Sequence, residues 1–144
     1  MDAREVGRNL HEKVRSLFEG FEPFLSEGDE EISTLTFIDL VLYLETQSAS
    51  PDDDDLQGKI EEFRDWVEQQ PRGETAADDL LSSYFVTFVE AILKHNELFR
   101  IAPWVVSKET LVADPDYFYY WIGPTEYHRA LATFPNEDEG DKSQ

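Results

Sequence analysis

Thr75-Ala-Ala-Asp78-Asp79-Leu-Leu81-Ser-Ser-Tyr84-Phe85-Val-Thr-Phe88-Val89-Glu-Ala-Ile92-Leu-Lys94 is the stretch on which the fold turns. Leu81, Tyr84, Phe85, Phe88 and Ile92, with Val89 beside them, recur at three- and four-residue steps. That is the period of one helical face, not the two-residue alternation of a strand. Thr75 has the oxygen an N-cap needs, and Asp78 stands three residues on. The spacing predicts a helix from Thr75 to Lys94 or Asn96.

Towards the N-terminus, Pro71-Arg72-Gly73 reads as a turn, preceded by a predicted helix from about Asp55 to Gln70 with Leu56, Ile60, Phe63 and Val67 on one stripe. Ser48 to Pro51 is a break. Before it, residues 33–44 are rich in β-branched side chains, yet the apolar run is too long for a typical strand. A central helix, apolar on most sides, is expected there, with Asp29, Glu30 and Glu31 in its first turn, where acids complement the dipole. The first helix is expected from Ala3 to about Glu19. Asp2 and Glu5 have capping-box spacing, Gly20 supplies a stop, and Val6, Leu10, Val14, Leu17 and Phe21 form its apolar face. Pro23 permits a turn ending at Gly28, with Phe24 and Leu25 inward.

Towards the C-terminus the signals shorten. Trp104-Val105-Val106, between Pro103 and Ser107, reads as extended chain or the start of a turn. Asp114-Pro115-Asp116 reads as a helix or turn entry to a segment that Gly123-Pro124 ends, and Thr125 is placed to cap a last helix through Leu131 to Phe134. No internal repeat is visible. The expectation is an all-α, single-domain, irregular bundle of five to six helices over residues 1–135, followed by a disordered acidic tail, 136–144.

Composition fits a folded chain. Of 144 residues 40% are hydrophobic and 13% aromatic, whereas disordered acidic chains are poor in aromatics. A domain this size buries about two thirds of the surface its unfolded chain exposes. The absence of cysteine excludes disulfides, thiolate metal sites and a cysteine nucleophile. Residues 1–5 lack the apolar run of a signal peptide, and nowhere is there an apolar run long enough to span a bilayer, so a cytoplasmic protein is expected.

Charge is the outlier. Thirty-two Asp and Glu against twelve Lys and Arg give a net −20, which repels nucleic acid and anionic lipid and attracts basic proteins. Between Arg15 and Lys59 there is no Lys or Arg at all, while twelve acids fall in the gap. Solubility alone has no need to segregate charge. A docking surface for a basic protein does, because complementary potential raises association rates. A solvated face, or adaptation to a salty cytoplasm as in a halophile's helical adaptor, would give acidity without a partner.

Motifs for chemistry are sparse. Asp53-Asp-Asp55-Leu-Gln57-Gly58-Lys-Ile60-Glu61 follows the first nine positions of a calcium loop, but Arg64 occupies the place of the bidentate Glu. The alternative is an acidic helix N-terminus. His11-Glu12 begins like a zinc protease motif and lacks the second histidine, since position 15 is Arg. His95 ends a helix, where a charged imidazole suits the dipole. His128, near Glu126 and Tyr127, is the one histidine in an acid–base setting, and a small enzyme or ligand-binding domain using it with a carboxylate is the alternative function. Nucleophile elbows, phosphate loops and dinucleotide fingerprints are missing. No cofactor or metal is called for.

Tyr117-Phe118-Tyr119-Tyr120-Trp121 cannot all face one way. Core packing is expected to take most of them, and the exposed remainder to form the dry centre of an interface, as Tyr and Trp often do.

Phe24-Leu25-x-x-Gly28-Asp29-Glu30-Glu31-Ile32, then Leu35, Phe37-Ile38 and Tyr43-Leu44-Glu45, resembles a stretch of small acidic helical bacterial immunity proteins, which are encoded beside polymorphic toxins. The resemblance spans residues 24–45. It implies a non-enzymatic inhibitor that binds a cognate toxin domain and covers its active site. On that expectation Asp29, Glu30, Glu31, Asp52, Asp53, Asp54, Asp55, Asp78 and Asp79 supply a steering field for a basic toxin, for instance a nuclease. Exposed members of Tyr117, Tyr119, Tyr120 and Trp121 supply the contact.

Overall fold

The computed structural model describes residues 3–21, 33–47, 52–74 and 79–134. Among them are eight helices and no strand, so the chain is an all-α domain. The helices are α1 (Ala3–Leu17), α2 (Ser33–Thr46), α3 (Asp54–Glu68), α4 (80–94), α5 (98–105), α6 (Lys108–Ala113), α7 (Pro115–Ile122) and α8 (Pro124–Thr133). Expectations for Asp2, for residues 22–32, for the break at 48–51, for residues 75–78 and for the tail lie outside the described residues.

The first three helices form where the apolar spacing places them. α1 buries Val6, Leu10 and Val14; Phe18 then turns inward and leaves Leu17 half-buried. Gly20 ends the segment at φ +82°, a conformation that favours glycine. α2 buries Phe37, Leu40, Val41 and Leu44, and packs on both α1 and α4. α3 starts one residue earlier than expected, because Asp53 accepts the Leu56 amide at 3.0 Å and so serves as its N-cap.

α4 differs in detail from its sequence period. Leu80–Ser83 is α-helical, Tyr84–Val89 widens into a π-helical turn, and Glu90–Lys94 is α-helical again. The inward residues become Leu80, Ser83, Tyr84, Phe88, Val89, Ile92 and Leu93, while Leu81 and Phe85 are only half-buried. The wider turn shifts the inward stripe by about one position at each end.

Phe63 on α3 lies at the centre of the core, its ring 6.0–6.2 Å from those of Phe18, Phe37, Tyr84 and Phe88. These rings come from four helices and meet mostly edge to face, the arrangement their quadrupoles favour.

Residues 98–122 fold into three short helices: Trp104 and Val105, expected as extended chain or the start of a turn, end α5, and Asp114-Pro115-Asp116, a helix or turn entry by sequence, opens the helix α7. Helices this short leave many end carbonyls unpaired and are marginal on their own. Distant side chains supply the missing donors. Arg64 Nη1 donates to the Trp104 carbonyl (3.1 Å), the Tyr84 hydroxyl to that of Val105 (2.5 Å), and the Tyr127 hydroxyl to that of Leu111 (3.0 Å). Burial pushes the Tyr84 phenol far above its ordinary value, so it stays a neutral donor at any working pH. Tyr84→Phe keeps the ring and orphans a buried carbonyl, so it should cost about 2 kcal/mol in urea denaturation; a loss under about 0.5 kcal/mol would mean the bond is dispensable.

His95 ends α4, as expected, and its ring makes further contacts. Its Nδ1 accepts the amides of Glu97 and Leu98 at 3.2 and 3.1 Å, and its Nε2 donates to Glu45 Oε1 at 2.8 Å. It closes α4, leads into α5 and ties both to α2. The last helix is corrected too: Gly123, at φ +97°, takes the N-cap position and Pro124 follows at N1, so Thr125 is already inside α8.

Candidate functional site

α7 is eight residues long and touches the core through one stripe. Phe118 and Ile122, four residues apart, are buried against α4 and α8. The other aromatics point elsewhere. Tyr117 is half-buried, and Tyr119, Tyr120 and Trp121 are 45%, 78% and 43% exposed. The expectation that most of these five rings are core is therefore corrected, because so short a helix has inward places for few of them. Apart from these three, the exposed large hydrophobics among the described residues are Leu42 and Val112.

Tyr117, Tyr120 and Trp121 form a ridge, and Tyr119 lies apart from it. Tyr120 and Trp121 meet edge to face at 5.3 Å, and Trp121 lies 6.4 Å from Tyr117. Tyr119 stands edge-on to His128 and Tyr127 at 5.8 and 6.0 Å. Asp116, exposed in the first turn of α7, precedes Tyr120 by four residues and so shares its flank. Burial, and to a smaller extent the Asp116 charge, raises the buried Tyr127 phenol above its usual value.

A groove of about 260 Å³ runs along the other flank, lined by Arg72, Ser82, Phe85, Thr110, Ala113, Asp114, Tyr117 and Phe118. Phe118 and Phe85 pack edge to face at 5.1 Å. Arg72, at one end, is not a free cation. It clamps Asp79 through Nε–Oδ1 at 2.8 Å and Nη2–Oδ2 at 2.7 Å. Asp79 is buried, and the Arg72 hydrogen bond holds its carboxyl below the usual range. The structure thus places Asp79 inside the fold as an internal partner, where its charge is neutralised and lost to any outward field. A depressed carboxylate contributes stability above its unfolded pKa and loses it as pH falls through the folded value. Arg72→Ala should cost about 1.5 kcal/mol at pH 7, the exposed guanidinium face softening the loss. Urea titrations should show that difference vanish in acid; a pH-independent loss would mean that packing, not charge, is responsible.

Asp52, Asp53, Asp54 and Asp55 are all exposed, at the N-terminal end of α3. Asp53 caps the helix, and Asp55 pairs with Lys59 at 3.2 Å. Because residues 54–68 are one continuous helix, the nine-residue calcium pattern cannot wrap around an ion. Arg64 points instead at Trp104, Asp65 and Glu68. Among the described residues, no three His, Asp or Glu side chains gather as a metal would require. Asp29, Glu30, Glu31 and Asp78 lie outside the described residues. α3 packs mainly on α1, α4 and α5, and α7 on α4, α6 and α8, so the acidic corner and the aromatic ridge share only α4 among these neighbours.

His128 is exposed beside Tyr119 and does not line the groove. Nothing in the described residues points positively to catalysis. Two further hollows flank α1: one of about 40 Å³ near Pro71 and Leu80, and a shallow one of about 370 Å³ beside Trp66. Among the described residues, no helix is long and apolar enough to cross a membrane. Compared with protein-family models, curated proteins and solved structures, the chain matches none.

The groove was not legible in the sequence, because its walls come from three separated segments. Asp116 was within reach: its four-residue spacing to Tyr120, just after a helix-starting Pro115, is a sequence signal.

Proposed function

We propose that this chain is a protein-binding protein that docks a basic partner, most specifically an immunity-type inhibitor that neutralises a basic toxin domain by direct one-to-one binding. The observation that carries this reading is the exposure of Tyr119, Tyr120 and Trp121 on one short helix, the last two in contact, in a molecule of net charge −20. Burying three large rings requires a partner surface, and the charge selects a positive one. Binding over a toxin's active site is the function this arrangement supports best. Acids at the rim govern how fast the partners meet, while the rings govern how slowly they part.

The experiment is co-expression with the product of the neighbouring reading frame. A stable one-to-one complex, with loss of that product's toxicity, supports the reading; a product that stays toxic and elutes alone contradicts it. Within such a complex, Asp52, Asp53, Asp54 and Asp55 replaced together by Asn keep a competent N-cap, since Asn caps as well as Asp. Association should slow about tenfold at low salt and change little at 0.5 M salt, where charges are screened within a few ångströms. Equal slowing at both salt levels would remove these acids from the steering role.

A further inference from the structure

We infer that the groove between α4, α6 and α7, together with the Tyr120 flank of α7, takes an arginine-bearing amphipathic segment of the partner: an apolar side chain in the groove and a guanidinium against Tyr120 and Asp116. This deepens the proposed function and rests on it. The groove holds about 260 Å³, below the range of about 300–1,000 Å³ usual for small-molecule sites and suited to one or two side chains. Its walls are the rings of Phe85, Tyr117 and Phe118, so the group that fills it is apolar.

Charge decides what stands beside that group. Arg72 at the rim is neutralised by its two hydrogen bonds to Asp79, which leaves the carboxylates of Asp114 and Asp116 to set the local sign. Tyr120 presents most of its ring to solvent, four residues after Asp116 on the same flank. An aromatic face beside a carboxylate is a site for a planar cation, which stacks on the ring and hydrogen-bonds to the acid. The fold already uses half of that arrangement internally, with the Arg129 guanidinium carbon 3.9 Å from the centre of the Phe99 ring. A second copy of the chain is a poor occupant, since each copy carries −20.

The test uses the full chain and two synthetic twelve-residue peptides of equal positive charge. One has arginines interleaved with leucines, the other arginines interleaved with serines. Titrations at 50 mM salt are followed by amide chemical shifts and tryptophan fluorescence. The leucine peptide should bind at least tenfold more tightly and move the amides of residues 82–85 and 113–121. Ala113→Trp, which fills the groove from an exposed position, should abolish that preference, and Asp116→Asn should weaken both peptides several-fold. If the two peptides bind alike, or the shifts gather at residues 52–55, the groove assignment is overturned while a basic partner still stands. If neither peptide binds, the wider reading falls with it.

Discussion

Phe63→Ala should remove about 4 kcal/mol of stability, the range for deleting a fully buried phenylalanine. Phe63 has no exposed surface, and its ring touches those of α1, α2 and α4 as well as Trp66 on its own helix, stacked at 6.3 Å. Nothing nearby can collapse into the void without abandoning another ring contact, so the cavity penalty adds to the lost transfer energy. Domains of this size hold only about 5–15 kcal/mol in all. The variant should therefore be marginal, with a thermal midpoint about 10–15 °C lower. Phe63→Leu should lose under about 2 kcal/mol, since most of the volume is kept. Urea denaturation of both variants checks the pair; equal losses would show that the ring cluster does not organise the core.

The second large effect separates stability from binding. Tyr120 is 78% exposed, and alanine is the better helix former by about half a kcal/mol, so Tyr120→Ala should leave the thermal midpoint within about 2 °C. Partner binding should weaken at least about thirtyfold, the consequence of removing a hot-spot ring worth about 2 kcal/mol. Trp121 is a less clean probe, because more than half of its surface is already packed beside Tyr117 and Tyr120. Its replacement would mix a packing loss with the binding loss.

The long helices were legible because their apolar residues repeat over three or more turns. Val6-Leu10-Val14, Leu56-Ile60-Phe63-Val67 and Tyr84-Phe88-Ile92 all lie in the core. Helices α5 and α6 were not legible, because neither has enough turns to show a period, and of α7 only the entry at Asp114-Pro115-Asp116 could be read. What holds them is long-range: Tyr84 reaches Val105 across 21 residues, and Arg64 reaches Trp104 across 40. The role of Asp79 was hidden for a similar reason, since nothing in the seven-residue spacing from Arg72 announces the pair. The aromatic segment 117–121 could be singled out from sequence as a contact candidate, but which rings face outward depends on α7 burying only Phe118 and Ile122.

The central claim is that the exposed rings of α7 are a docking surface on an acidic scaffold. Its most direct measurement is calorimetric titration of the wild-type chain and of Tyr120→Ala with the neighbouring reading frame's product, each first checked for an unchanged melting temperature. The claim predicts a tight one-to-one complex for the wild type and a dissociation constant at least about thirtyfold higher for the variant. Identical dissociation constants for the two would contradict it.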